Sequence, residues 1–152
     1  MQKITTFLMF NEKAEEAVKF YVSLFPNSKV NNIVKGPDGK AFHVSFSLAG
    51  QEYQAVNGGS HFHFSEGISL YVSCKNQAEI DRLTEKLTSK GGEQQPCGWL
   101  RDRWGVSWQI IPEALGEMMS DPKSGNSGKV MEALLKMKKI DIKTLKAAYK
   151  QK

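Results

Sequence analysis

At 152 residues, with 40% hydrophobic and 24% charged side chains, the chain has the length of one ordinary folded domain, long enough to bury most of its unfolded surface without a disulfide staple. Its formal charge of +5 is concentrated at one end: from Lys129 to Lys152 eight lysines face only Glu132 and Asp141, a surplus of six that leaves the remainder at minus one. That tail holds no arginine and one aromatic, Tyr149, so it lacks the forks and stacking rings used to read bases and is taken as a solvated helical face, with no nucleic-acid partner expected.

In chain order, Ile4 to Phe10 is apolar and β-prone, Asn11 offers a side-chain oxygen as a helix N-cap, and Ala14, Ala17, Val18, Tyr21 and Leu24 or Phe25 recur at helical spacing up to Pro26. Lys29 to Lys35 reads as a strand and Gly36-Pro37-Asp38-Gly39 as a turn. Ala41 to Leu48 then alternates, with Phe42, Val44, Phe46 and Leu48 on one face. Gly50 turns the chain into a strand over Glu52 to Val56, completing β-α-β-β-β.

After a bridging stretch from Asn57 to Gly67 the order begins again: a strand over Ile68 to Ser73, a helix over Gln77 to Ser89 stopped by Gly91-Gly92, weakly patterned residues Glu93 to Leu100, and a strand over Val106 to Ile111. Ala14-Glu15 is matched by Ala78-Glu79, and Tyr53-Gln54-Ala55-Val56 by Trp108-Gln109-Ile110-Ile111. The fold class is therefore α+β: two tandem β-α-β-β-β units, residues 1–57 and 67–112, forming a curved mixed sheet around a cleft where equivalent residues converge. Helices follow near Glu113 to Met119, near Lys129 to Met137 and after Asp141, a C-terminal extension over 113–152. Val130, Leu134, Leu135 and Met137, then Leu145, Ala148 and Tyr149, give them an apolar stripe that has to dock on the same chain or on a partner subunit.

Cys74 and Cys97 form no C-x-x-C pair, Met1-Gln2-Lys3 runs straight into a strand with no secretory signal, and no apolar run approaches the roughly 20 residues of a membrane helix. A cytoplasmic protein with reduced thiols and no membrane partner is expected.

Several boxes then carry a resemblance: Phe7-Leu8-Met9-Phe10-Asn11 leading into Ala14-Glu15-Glu16-Ala17 and Phe20-Tyr21, Cys97-Gly98-Trp99-Leu100, Gly105-Val106-Ser107-Trp108-Gln109-Ile110, and Lys139-Ile140-Asp141-Ile142. Together with the repeat they resemble the vicinal oxygen chelate superfamily of glyoxalases, bleomycin and fosfomycin resistance proteins and extradiol dioxygenases, and within it the PhnB-like branch, over nearly the whole chain as a single domain, 1–152. Relatives in that branch often bear the label 3-demethylubiquinone-9 3-methyltransferase. The residues do not support methyl transfer, because the first strand leads into Asn11-Glu12-Lys13 with no glycine-rich turn, and Gly125-Asn126-Ser127-Gly128-Lys129 lacks phosphate-loop spacing.

In metal-using members of the superfamily the ligands come from the first and last strand of each unit. Carried onto this chain, the resemblance puts those positions near Thr5 and Ser69 and at Gln54 and Gln109. Two amides and two hydroxyls are poor ligands for a transition ion, so neither a metal nor another cofactor is expected, and the ligand-binding candidates are Thr5, Gln54, Ser69 and Gln109, with His43, Trp99 and Trp108 nearby. The same glutamines would also serve merely to satisfy buried backbone groups. His61 and His63 alternate around Phe62 and face one side if extended, two donors in want of a third. No basic neighbour marks Cys97 as a nucleophile. Three functions follow: a small-molecule module with a metal-poor cleft and unknown reaction, a metal-dependent lyase or dioxygenase of glyoxalase type, or a noncatalytic dimer acting through protein contacts. The resemblance implies a homodimer.

Overall fold

The computed structural model describes residues 2–121, 123 and 125–151. The chain divides into two compact units, Met1–Phe64 and Ser65–Lys152, each built on its own four-stranded mixed sheet. The first unit thus extends past residue 57 into the bridge, where Phe64 packs edge-on against Phe10 at 5.1 Å between ring centroids. The C-terminal extension belongs to the second unit.

In the first unit, β1 (Thr6–Phe10), α1 (Ala14–Leu24), β2 (Lys29–Lys35), β3 (Ala41–Leu48) and β4 (Gln51–Asn57) give the sheet order β1-β4-β3-β2, with β1 parallel to β4 and the other pairs antiparallel. Ala17, Val18, Tyr21 and Leu24 recur at helical spacing because that stripe of α1 is the one buried, together with Leu8, Phe10, Val44, Phe46, Leu48 and Ala55 of the sheet. Each large side chain fully withdrawn from water contributes roughly 1.5–3 kcal/mol.

Two expectations about this unit need correction. Asn11 does not cap α1: the N-cap position is Lys13, without a side-chain bond, and the Ala14 amide donates instead to Asn57 Oδ1 at 2.9 Å, from the end of β4. Phe42 does not share the Val44 face. The β2–β3 register slips between Val34 and Lys35, pairing Val34 with His43 and Lys35 with Ala41, so one residue bulges, both Ala41 and Val44 point into the core, and Phe42 is left 62% exposed.

The second unit repeats the order as β5 (Leu70–Cys74), α2 (Gln77–Thr88), β6 (Glu93–Gln94), β7 (Trp99–Arg101) and β8 (Ser107–Pro112), paired β5-β8-β7-β6 with β5 parallel to β8. Its first strand starts two residues later than the apolar run suggested. Here the cap is local: Asn76 Oδ1 accepts from the Glu79 amide at 2.9 Å while Glu79 Oε2 accepts from the Lys75 amide at 2.9 Å. A turn over Pro96–Gly98 separates β6 from β7.

The extension forms α3 (Glu113–Ser120), α4 (Ser127–Leu134) and α5 (Ile142–Tyr149). Their apolar residues Leu115, Met118, Val130, Leu134 and Leu145, with Ile140 from the α4–α5 connection, bury against Ile111 of β8, so the stripe docks on its own chain; Leu135, expected in it, is 65% exposed. The turn before β7 grips this tail through its backbone. Cys97 and Gly98 both have positive φ, and their amides donate to Met137 O at 2.9 Å and Lys138 O at 2.8 Å. Gly98 is required, since a Cβ there would lie 2.7 Å from Ile140 Cδ1 and 2.9 Å from Ile110 O. Among the described residues no helix is long and apolar enough to cross a membrane.

Candidate functional site

Strand alternation gives each sheet a face turned away from its helix, and the two glutamines lie on those faces. In the first unit the register aligns Phe7, Gln54 and Ser45 across β1, β4 and β3. Leu8, Ala55 and Val44, one residue on, are core, so Phe7, Gln54, Ser45 and His43 share the opposite face. Regular alternation from His43 to Ser45 puts His43 on that side. Its Nε2 lies 2.9 Å from Gln54 Oε1. Since the amide oxygen only accepts, Nε2 carries the proton and donates, which leaves His43 Nδ1 as an acceptor and the Gln54 amide nitrogen as a donor toward a ligand. Phe7, 50% exposed, forms an aromatic wall with its ring 6.4 Å from the imidazole. Glu52, two residues before Gln54, lies on the same face and is tied to Gln2, whose amide donates to Oε2 at 3.4 Å.

In the second unit the equivalent register aligns Tyr71, Gln109 and Trp99 across β5, β8 and β7. Gln109 Nε2 donates to Ser69 Oγ at 2.8 Å, which leaves its amide oxygen as an acceptor and the serine hydroxyl as a donor. Tyr71, 60% exposed, and half-buried Trp99 flank it.

The expected residues therefore separate. Gln54 and His43 are joined, and so are Gln109 and Ser69, with Trp99 beside the latter. Thr5 is half-buried just ahead of β1 and makes no side-chain hydrogen bond among the described residues. Trp108 is on the wrong face: it is 2% exposed, paired with Leu100 in the core, and its Nε1 donates to Asp102 Oδ2 at 3.0 Å. Phe7 and Tyr71 were missed. Stepping by two from Thr5 and Ser69 would have found them, but their apolar character read as core.

The remaining candidates do not gather into a site. His61 and His63 are both exposed, and among the described residues no three His, Cys, Asp or Glu side chains are grouped to hold a metal ion. Burial pushes the Cys74 thiol up to about 12, which keeps it protonated and inert. Cys97 is committed to the clasp on the tail, with Sγ 3.7 Å from Leu134 O.

Two mixed four-stranded sheets of repeated topology, with C-terminal helices, define a protein of the glyoxalase/bleomycin-resistance fold. The model of the family described as 3-demethylubiquinone-9 3-methyltransferase matches residues 2–111, and the chain belongs to that PhnB-like family. It is 39% identical to a Bacillus cereus protein provisionally named 3-demethylubiquinone-9 3-methyltransferase, PhnB protein, with a TM-score of 0.69 over 73% of this chain and 99% of that one. Protein PA1353 of Pseudomonas aeruginosa is 20% identical, with a TM-score of 0.59 over 74% of this chain and 98% of that one. The fosfomycin resistance protein FosX of Listeria monocytogenes is 16% identical, with a TM-score of 0.55 over 77% of this chain and 97% of that one. No curated protein matches. The family match ends at Ile111, so the Lys139-Ile140-Asp141-Ile142 box lies outside it and the resemblance spans less of the chain than the sequence suggested.

Neither group that the fold family implies fits these residues. A divalent transition ion asks for imidazole, thiolate or carboxylate donors; Gln109 and Ser69 supply none, and beside Gln54 there is a single imidazole, its Nε2 already bonded, and a carboxylate held by Gln2. A methyl-donor cofactor of the nucleotide type asks for a glycine-rich turn between the first strand and helix, where Asn11-Glu12-Lys13 stands instead.

Proposed function

We propose that this protein binds small polar molecules on the helix-free face of each sheet, with the Gln54–His43 pair beside Phe7 as the contacts on the first and the Gln109–Ser69 pair between Tyr71 and Trp99 as those on the second. The observation that carries this reading is that each glutamine is immobilised by one neighbour at one end of its amide and left open at the other. A glutamine that only satisfied backbone would bond main-chain groups; neither of these does among the described residues. A side chain already held in its binding rotamer loses little entropy when a ligand arrives. The donor set is mostly neutral, which suits a ligand recognised by hydrogen bonds over one recognised by charge or by metal chelation. No reaction step is assigned. The setting is the cytoplasm, in keeping with two free thiols.

The test is a thermal-shift screen of polar metabolites at millimolar concentration on wild type, Gln54→Leu and Gln109→Leu. Ligands that raise the melting temperature of wild type and lose that effect in one variant or the other are expected. An empty screen, or hits that bind both variants as well as wild type, would overturn the reading, as would stoichiometric zinc, nickel or iron found by elemental analysis of the purified protein.

The protein is also proposed to be a homodimer. β1 and β5 are edge strands of their sheets, open to pairing, and Ile4 and Ile68, exposed at corresponding positions before them, offer apolar side chains that a second copy would cover. Sedimentation of a monomer at micromolar concentration would overturn this.

A further inference from the structure

We infer that the second unit carries a separate ligand site, a lysine-walled groove between α5 and the start of α2 that takes a soluble organic phosphate. The groove has a volume of about 810 Å³, within the range of small-molecule pockets. Lys143 and Lys146 of α5 and Lys150 at its C-cap stand at i, i+3 and i+7, hence along one side of the helix, and Lys75 lines the groove just ahead of α2. Ile142 and Ala147 supply an apolar floor.

The charge here is in excess, four lysines against one carboxylate. Among the described residues none of these four lysines is in an ion pair, whereas Lys136 and Lys139 of the same tail pair with Glu132 and Asp81. Asp141 is the one carboxylate in the groove, and it is committed to α5, accepting from the Thr144 amide at 2.7 Å. The groove on the other flank of α5 is a useful contrast: there Lys129 and Lys136 are balanced by Glu132 and Asp141.

The walls are also fixed. Gln77 Nε2 donates to Ile140 O at 2.9 Å and its Oε1 accepts from the Ile142 amide at 2.9 Å, pinning the start of α5 to the start of α2. Asn76 spends its oxygen on the α2 cap and keeps its amide nitrogen for a ligand.

Lysine alone, without arginine, selects for compact charge. An ammonium acts as a point charge suited to phosphate, whereas recognition of a planar carboxylate gains from the guanidinium fork that this groove lacks. The apolar floor calls for an organic body attached to the phosphate. Seven of the ten lining residues, Ala114 and the six from Asp141 to Lys150, lie beyond the family match over residues 2–111, and only Lys75, Asn76 and Gln77 lie within it.

The test titrates isotope-labelled full-length protein with magnesium-free ATP as the probe and follows backbone amide shifts. Shifts confined to residues 75–77 and 141–150 are expected, with affinity falling about tenfold or more in Lys143→Gln/Lys146→Gln/Lys150→Gln and unchanged in Lys3→Gln/Lys29→Gln/Lys35→Gln, which removes equal charge from the first unit. No shift, shifts scattered over the lysine-rich surface, or equal weakening in both triple variants would overturn the site. Inorganic tripolyphosphate binding as tightly as ATP would overturn the organic body, and binding to phosphatidic acid vesicles without binding to ATP would overturn the soluble source.

Discussion

The Gln54 amide is held by an imidazole from the neighbouring strand, and the Gln109 amide by a hydroxyl from ahead of its parallel partner strand. Equal register positions thereby present opposite polarity, a donor in the first unit and an acceptor in the second. The reason lies in the position next door. By register His43 corresponds to Cys97, and Cys97 belongs to the turn that clasps the C-terminal helices. A side chain engaged with the tail cannot also reach across to a glutamine. Repeated topology thus conserves where a residue stands and leaves what it does to the chain packed around it.

The largest expected effect breaks that clasp. Gly98→Ala forces a Cβ against Ile140, Ile110 and Ile111 at a φ of +82, and should cost about 3 kcal/mol or more in a urea melt, with the tail becoming sensitive to limited proteolysis before the rest of the protein. Unchanged stability would mean the tail is not held there.

Next comes the β7–β8 turn. Asp102, 2% exposed, accepts from the Trp104 and Val106 amides and from Trp108 Nε1, each at 3.0 Å, whereas the corresponding residue of the first unit is buried Leu48. Asp102→Ala strands those donors and should cost about 2–4 kcal/mol by chemical denaturation. A loss below about 1 kcal/mol would show that water replaces the carboxylate.

The two helix starts sharpen the comparison further. Asn57→Ala removes the cap of α1 and the bond from Asn57 Nδ2 to Ala41 O, and should cost about 1–2 kcal/mol; Asn76→Ala loses only the local cap and should cost about 1 kcal/mol. Aspartate separates them more cleanly: tolerated at Asn76, where an acceptor suffices, and destabilising at Asn57, where a donor is also used. Equal effects at both sites would erase the distinction.

The smallest effect is electrostatic. The Thr144 hydrogen bonds at Asp141, and those from Gln77 and Lys139 at Asp81, hold both carboxyls below their usual range. A lowered folded-state pKa adds stability above the unfolded value of about 3.9 and loses it as pH falls through the folded value, so the tail should loosen below about pH 4. Asp81→Asn with Asp141→Asn should flatten that acid limb of the stability curve. Both groups are exposed, so the change is small.

Sequence reading went furthest where local signals and tertiary demand coincide. The stripe of α1, the helix after Gln77 and the β-β-β order of the first unit were all legible, because periodicity and burial select the same residues. It failed where one inserted residue changes parity: the bulge turns Ala41 into the core and moves Phe42 out, and no propensity distinguishes a bulged strand from a regular one. Trp108 was misjudged for a related reason. Adjacent strand residues face opposite ways, and only the pairing with Leu100 says that the tryptophan, not the glutamine, is core.

From its amino acids alone this chain declared a duplicated α+β protein of the PhnB-like kind with a basic helical tail, because repeats, hydrophobic periods and charge totals are properties of order along the chain. Tertiary structure decided which atom of each glutamine stays open, that Asn57 caps a helix 43 residues away, and that the tail folds back onto β8 through Cys97 and Gly98. Those outcomes depend on contacts between distant segments, whose energies outweigh the local preferences that a sequence displays.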